Sequence, residues 1–143
     1  MKPRQYVILK IEMYKNHFYA VRFNSRGFYC GYVRVANEEN FNKINEKYNN
    51  GYVEDIDCHG GITYVSSISD FLPPGNWIGF DACHAGDKPD IEFATQLFNL
   101  DKDDLDYIHE FYSIGIDATS CSREYISDEC KYIIDQLIEK YND

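Results

Sequence analysis

The chain has 143 residues, of which 44% are hydrophobic and 16% aromatic, and its formal net charge at pH 7 is −10. This length and this share of core-forming side chains predict one folded domain over residues 1–143 and exclude a disordered chain. No apolar run reaches the roughly 20 residues of a membrane-spanning helix, and no apolar segment typical of a secretory signal follows the N-terminus, so we expect a cytoplasmic protein.

Charge is distributed unevenly along the chain. Residues 1–34 carry seven basic side chains and one acidic one, whereas residues 35–143 carry seven basic and 23 acidic side chains. Because duplex nucleic acid is bound through a basic footprint, this balance predicts no such partner. Either the basic first part holds a small anion, or the acidic remainder faces a basic protein, or the acids only keep the protein in solution. The five cysteines include no Cys-x-x-Cys pair and favour a reducing compartment.

The first 35 residues predict a three-stranded antiparallel meander. Apolar and polar side chains alternate over residues 6–13, 18–23 and 28–35, which is the period of half-buried strands. Asn24–Gly27 has the composition of a hairpin turn. The turn before the second strand contains His17, which we expect at the surface.

A helix and three short strands are predicted in the middle of the chain. Asn37, followed by two glutamates, has the pattern of a helix N-terminus, and Asn49–Gly51 predicts the end of that helix. Shorter patterns predict strands at residues 52–56, 62–66 and 76–81, with a break at Pro73–Gly75.

The last third of the chain predicts helices. The acidic segment 87–110 is interpreted as a loop that leads into a helix near residues 103–112, with His109 at the surface. The clearest helix follows a capping Ser122 and extends to Tyr141 with apolar residues at helical spacing. The chain therefore predicts a single α+β domain with a twisted, mainly antiparallel sheet, covered by helices that include a long C-terminal helix.

Two glycine-rich segments carry titratable side chains at predicted strand ends. They are residues 57–64, which contain His59, and residues 77–87, which contain Asp81, His84 and Asp87. Residues spaced by three converge on one turn of helix or in a tight loop, and His59 is expected to join them. We predict that His59 and His84 form an acid–base pair and that Asp81 is the third catalytic group, an orienting carboxylate.

The same cluster suits a divalent metal ion. We predict Asp81, His84 and Asp87 as ligands of Zn²⁺, Mn²⁺ or Mg²⁺. The alternative is that Asp81 caps a turn, Asp87 is solvated and the histidines bond to backbone carbonyls. The dipeptides Cys58-His59 and Cys83-His84 also suggest thiolate zinc, but their spacing matches no standard zinc finger. Adjacent strand residues point to opposite faces, so each dipeptide would supply one ligand.

A further set of residues is predicted to contact a ligand. They are Gly60, Gly61, Thr63, Arg22, Arg26 and Trp77. The two glycines let their backbone N–H groups approach an anion. The arginines, interleaved with tyrosines, form either a wall that pairs phosphate and stacks a base or a solvated face of the meander. Trp77 belongs either to the core or to this ligand set.

The two glycine-rich segments resemble a largely uncharacterised family of small phage, prophage and bacterial proteins. The family motifs are His-Gly-Gly-(Leu/Ile)-Thr, here His59–Thr63, and Trp-x-Gly-Phe-Asp-x-x-His-x-Gly-Asp, here Trp77–Asp87. Cys30–Val33 and Arg123–Leu137 also have the family's pattern. The family has Cys directly after the Asp, whereas this chain has Ala82 there, which argues against a cysteine-based mechanism.

The resemblance implies a phage-type accessory protein that acts on a host defence system, in the host cytosol if phage-encoded. We expect it to bind a small phosphorylated or nucleotide signal at the His/Asp cluster and to cleave it as a phosphodiesterase or other hydrolase. One alternative is a sponge that holds the ligand without cleaving it. Another is an acidic inhibitor that blocks a basic host protein through residues 87–110. The sequence leaves homo-oligomerisation open.

Overall fold

The computed structural model describes residues 5–83, 87–111 and 119–143. Its elements are β1 (Tyr6–Tyr14), β2 (His17–Asn24), β3 (Tyr29–Val35), α1 (Glu38–Asn49), β4 (Tyr64–Ser66), β5 (Asn76–Asp81), β6 (Asp87–Lys88), α2 (Ile91–Phe98), α3 (Lys102–Phe111), β7 (Thr119–Ser120) and α4 (Arg123–Tyr141). The main sheet has the order β1-β2-β3-β5-β4 with antiparallel neighbours, and β6 pairs in parallel with β7. The predicted α+β class is confirmed, including the long C-terminal helix.

The first hairpin has a tight two-residue turn. Lys15 and Asn16 both have positive φ, 48° and 63°, between the paired residues Tyr14 and His17. Two consecutive left-handed residues match the right-handed twist of the flanking strands. This turn fixes the register of β1 against β2.

The inner face of the sheet packs against α4. The buried residues on the two sides of this layer include Val21, Val33 and Ile78 from the strands and Cys130 from the helix. A Cβ at Gly31 would lie 2.7 Å from the Cys130 sulfur, which is closer than real carbon atoms approach. Glycine at this position therefore lets α4 lie directly on β3.

The outer face of the sheet is covered by the chain segment between β4 and β5. Tyr32 and Trp77 from the strands pack there with Leu72 and Phe71. Trp77 is 1% exposed, and its indole N–H donates to the carbonyl of Pro73 at 2.8 Å. Trp77 is thus a core residue and is not available to a surface ligand, which corrects its place in the predicted ligand set.

The strand predicted at residues 52–56 is wrong. Val53 and Ile56 are buried, but their segment packs beside α4 and not beside a strand. The amide of Gln136 on α4 accepts from the N–H of Asp57 and donates to its carbonyl, both at 2.7 Å. A side chain of the helix therefore satisfies backbone groups that a strand would direct to a neighbour.

The acidic segment contains one helix more than predicted. α3 agrees with the prediction, but α2 occupies part of the expected loop. Asp90 caps α2 by accepting from the N–H of Phe93, and the ring of Phe93 packs 4.8 Å from that of Phe23. No helix in the described part of the chain is both long and apolar enough to cross a bilayer.

His17 is buried, contrary to the expectation from its turn position, and is bound to Asp143. Its Nε2 lies 2.8 Å from Oδ2 of Asp143, and the same oxygen accepts from the N–H of Ala36. The other carboxylate oxygen, Oδ1, accepts from the N–H of Asn37 and from the side-chain amide of Asn40. Burial alone would raise the pKa of Asp143, but these hydrogen bonds hold it below its ordinary value. Asp143 thus joins α4 to the start of α1 and to β2.

Replacing Asp143 with Asn is expected to lower the free energy of unfolding at pH 7 by about 3 kcal/mol, because four donors in a buried site lose a charged acceptor. The wild-type contribution is present above the ordinary carboxyl pKa and disappears as the pH falls below about 4, through the lowered pKa. Urea denaturation of both proteins from pH 7 to pH 3 measures this.

The matched control is Asp135→Asn, which removes a carboxylate that pairs with Lys15 at the surface. We expect a change of less than about 0.5 kcal/mol, because exposed ion pairs contribute little. Equal losses for the two variants at pH 7 would contradict the assigned role of Asp143.

Candidate metal centre

Three metal-ligating side chains from distant parts of the chain meet at the inner face of the sheet. Nε2 of His59 lies 3.0 and 3.1 Å from the two carboxylate oxygens of Asp87. The Cys121 sulfur lies 3.7 Å from Oδ1 of Asp87 and 4.0 Å from Nε2 of His59. Asp87 and Cys121 are buried, and the His59 side chain is 19% exposed. We call these three residues the His–Asp–Cys group.

The short parallel pair β6–β7 brings Asp87 and Cys121 together. Asp87 is in register with Thr119, and Cys121 follows directly after β7. Ser122 then caps α4 by accepting from the N–H of Tyr125 at 3.1 Å. Cys121 is thereby fixed immediately before the first turn of the long helix.

A glycine turn and the side of α4 position His59. Gly60 and Gly61 both have positive φ, 70° and 78°, and the N–H of Gly61 donates to the carbonyl of Cys58 at 3.0 Å. The backbone N–H of His59 donates to Oε1 of Glu129 at 2.8 Å. Two successive left-handed residues favour glycine, so the predicted His-Gly-Gly pattern forms the turn that presents the imidazole.

The second nitrogen of the His59 ring is held by Tyr125. Nδ1 lies 3.1 Å from the tyrosine oxygen, and the tyrosine hydroxyl lies 3.5 Å from Oε1 of Glu129. If the hydroxyl donates to Glu129, its oxygen accepts from the Nδ1–H group of His59. With this tautomer, Nε2 carries a lone pair for a metal ion; without an ion, Nε2 carries a proton and donates to the Asp87 carboxylate, which can only accept.

Electrostatics argue against a nucleophilic role for Cys121. Burial, together with the neighbouring Asp87 carboxylate, raises the pKa of its thiol to about 11. A nucleophilic cysteine needs the opposite shift. A Cys–His–Asp triad also needs the thiol and the carboxylate on different ring nitrogens, whereas both lie at Nε2 of His59.

The distances within the group fit a tetrahedral zinc ion. Ordinary zinc–ligand bond lengths and tetrahedral angles put nitrogen, oxygen and sulfur ligands about 3.4–3.6 Å apart. The three separations here, 3.0, 3.7 and 4.0 Å, bracket that range. Changes of about 0.4 Å in these three separations would bring all of them into the range expected for zinc ligands. Thiolate and imidazole ligands favour zinc over Mn²⁺ or Mg²⁺.

A cavity of about 410 Å³ is lined in part by Cys121. Its walls include Phe93 from α2 and Arg123 at the start of α4, together with the carboxylates of Glu92 and Glu124. Because Cys121 belongs both to the His–Asp–Cys group and to the cavity wall, a molecule in the cavity would lie next to an ion held by the group.

The structure brings together part of the predicted cluster. His59 and Asp87 lie in contact, whereas Asp81 lies outside the His–Asp–Cys group. The Asp81 carboxylate accepts from the hydroxyl of Thr63 and from the N–H of Cys83, both at 3.2 Å. His84 lies outside the described residues, so its predicted role stays a prediction.

Strand alternation explains the position of Asp81. Its neighbour Phe80 enters the inner core, so the side chain of Asp81 leaves β5 on the outer face with its pairing partner Cys30. There Asp81, Cys30 and Thr63 line a separate cavity of about 310 Å³.

Arg22 and Arg26, predicted to form one ligand-binding wall, contact different aromatic rings in the structure. The Arg22 guanidinium lies 3.7 Å from the ring centre of Tyr6 and 4.2 Å from that of Phe71, on the outer face. Arg26 lies 4.0 Å from the ring centre of Tyr107. Neither arginine lines the cavity beside Cys121.

Three residues of the site were not predicted from the sequence. They are Cys121, Tyr125 and Glu129. The available signals were weak: a cysteine directly before a helix cap, and a tyrosine and a glutamate four residues apart on one face of the helix. Nothing in the sequence connected them with His59. Comparison of the chain with protein-family models, with curated proteins and with solved structures gave no match.

Replacing Asp87 with Asn is expected to speed alkylation of Cys121 by iodoacetamide at pH 8 by at least about threefold, because loss of the adjacent negative charge lowers the thiol pKa. Peptide mass spectrometry of metal-free protein measures the rate at Cys121 itself. Asp103→Asn, on the exposed side of α3, is the control and is expected to leave the rate unchanged. An equal rate in wild type and Asp87→Asn would show that the carboxylate does not act on the thiol.

Proposed function

We propose that the protein is a metal-dependent hydrolase that binds zinc through His59, Asp87 and Cys121 and cleaves a small phosphodiester or nucleotide signal. The convergence of one nitrogen, one carboxylate and one sulfur at Cys121, with Nδ1 of His59 already held by Tyr125, is the observation that carries this proposal. The phage-type accessory role, directed at a host defence system, rests on the motifs at His59–Thr63 and Trp77–Asp87.

The described part of the chain supplies three candidate ligands, which is the number that catalytic zinc sites use. Structural zinc sites usually have four protein ligands, whereas catalytic sites have three and leave a position for water or substrate. In such a site the ion lowers the pKa of bound water towards 7 and polarises a phosphoryl oxygen. The cavity that Cys121 helps to line would hold a small ligand beside one of these three residues.

The residues of the chain have separate tasks in this proposal. Asp87 and the Cys121 thiolate supply two negative charges that balance a divalent ion. When an ion is bound, Tyr125 and Glu129 hold the proton on Nδ1 of His59, so that Nε2 binds the ion in place of its hydrogen bond to Asp87. Arg123, in the cavity wall, offers a guanidinium to a phosphate oxygen.

Charge in the cavity favours a phosphodiester over more highly charged phosphates. Arg123 is accompanied by three carboxylates, those of Asp90, Glu92 and Glu124. A diester carries one negative charge and experiences less repulsion from these groups than a monoester or a triphosphate. Cyclic dinucleotides, whose diester groups carry one charge each, fit this cavity better than ADP-ribose derivatives, whose pyrophosphate carries two charges; both remain candidate substrates.

Metal-stripped protein is expected to bind one zinc ion per chain in calorimetric titration. Cys121→Ser and Asp87→Asn are expected to weaken binding by about 100-fold or more, because each removes one of three ligands. Tyr125→Phe keeps the ligands but removes the oxygen that holds Nδ1, and a loss of about tenfold is expected.

The control for zinc binding is His109→Gln, which removes an exposed histidine on α3 and should leave the affinity unchanged. Circular dichroism of each metal-free variant shows whether it has folded. Folded Cys121→Ser and Asp87→Asn proteins with wild-type zinc affinity would refute the site.

Turnover is tested with bis(p-nitrophenyl) phosphate, cyclic dinucleotides and ADP-ribose, each with and without added zinc. We expect zinc-dependent cleavage that is at least about 100-fold slower in Cys121→Ser than in wild type. The monoester p-nitrophenyl phosphate is the comparison substrate, and we expect wild type to cleave it more slowly than the diester.

The outcome distinguishes a hydrolase from a protein that binds the ligand without cleaving it. Binding followed by recovery of the intact nucleotide after heat denaturation would replace the hydrolase with a ligand-sequestering protein that uses the same cavity. Absence of both binding and turnover over the whole panel would remove the proposed ligand class.

A further inference from the structure

β1 is an edge strand whose second half is exposed in the described part of the chain. The sheet order leaves β1 with β2 as its partner on one side. Ile11 is 41% exposed and Met13 is 56% exposed, which is unusual for large apolar side chains within a sheet. An open edge of this length is a ready template for another strand.

The hairpin turn determines which residues of β1 direct their backbone groups outward. A two-residue turn makes Tyr14 and His17 a hydrogen-bonded pair, so Tyr14, Glu12 and Lys10 direct their N–H and C=O groups towards β2. Ile11 and Met13 therefore direct theirs to the open edge. A pairing strand must place its hydrogen-bonded positions opposite these two residues.

The charges along β1 are complementary to those of a second copy of β1 that runs antiparallel to it. Lys10 and Glu12 lie on the same face of β1, with Nζ and Oε2 3.6 Å apart, and both side chains are partly exposed. In an antiparallel pair of identical strands related by a two-fold axis at Ile11, Lys10 of each chain lies opposite Glu12 of the other. These positions form a non-hydrogen-bonded pair, in which side chains are closest.

We propose that the protein forms a symmetric dimer in which β1 pairs antiparallel with β1 of a second copy, with the two-fold axis at Ile11. The two five-stranded sheets then become one continuous sheet. Ile11 contacts its own counterpart, Met13 lies opposite Leu9, and two Lys10–Glu12 pairs close one face. Such an interface is isologous, as closed dimers require.

Other registers satisfy fewer of these constraints. An axis at Glu12 would pair the outward backbone groups of Ile11 and Met13 but would set two glutamates directly opposite each other. An axis at Leu9 falls in the irregular stretch between Ile8 and Lys10, where the register of β1 against β2 shifts. Of these axes, only the one at Ile11 sets Lys10 of each chain opposite Glu12 of the other and uses the outward backbone groups of Ile11.

Sedimentation analysis of full-length wild type, Lys10→Glu, Glu12→Lys and the double variant Lys10→Glu/Glu12→Lys tests the proposal. Each single change replaces two attractive pairs with two like-charge pairs, so we expect the dimer dissociation constant to rise about tenfold or more. The double variant restores opposite charges across the axis and should regain the wild-type constant.

An equimolar mixture of the two single variants gives an independent result. One chain then presents two glutamates and the other two lysines, so we expect a heterodimer although each variant alone is monomeric. Glu39→Lys on α1, which has the same charge change far from β1, is the control and should dimerise as wild type does. A wild type that stays monomeric at all concentrations, or single variants that dimerise as wild type does, would overturn the proposal.

Discussion

The packing of α4 on the inner face of the sheet is the constraint on which the remaining structure depends. It requires Gly31, because any side chain there would collide with Cys130 and Phe80. With α4 in this place, Cys121 lies directly before its capping residue, and its first two turns present Tyr125 and Glu129 to His59. A shift of the helix would therefore separate the His–Asp–Cys group as well as open the core.

The hydrogen bonds around His59 decide which chemistry the site can support. A thiol with a raised pKa, protonated beside a carboxylate, is a poor nucleophile, yet the same thiol becomes a strong ligand when a cation replaces its proton. Because Tyr125 occupies Nδ1, the ring can offer only Nε2 to that cation. The arrangement therefore favours a held ion with an open position over covalent catalysis.

Sequence reasoning placed His59 and Asp87 in one cluster, His59 as an acid–base group and Asp87 as a metal ligand, and missed Cys121 for a physical reason. His59 and Asp87 stand beside glycines, and such turns are visible in a sequence. Cys121 is 62 residues from His59 and reaches it through the two-residue parallel pair β6–β7, for which the sequence has no periodic pattern. Asp81 was grouped with the cluster by spacing, but strand alternation turns its side chain to the other face. His17 was expected in solvent because its turn position shows nothing of Asp143, at the other end of the chain.

Local patterns in the sequence determined the strands of the meander, the extent of α4, the two-residue turn at Lys15 and the His-Gly-Gly turn, because each depends on side-chain periodicity or on backbone freedom within a few residues. The tertiary structure alone decided which side chains meet. It directed the backbone of Asp57 to Gln136, it turned Asp81 to the outer face of the main sheet while Asp87 pairs in a separate two-stranded sheet, and it brought Cys121 to His59. Such contacts join residues far apart in the chain, and they depend on how whole elements pack, which no single segment encodes.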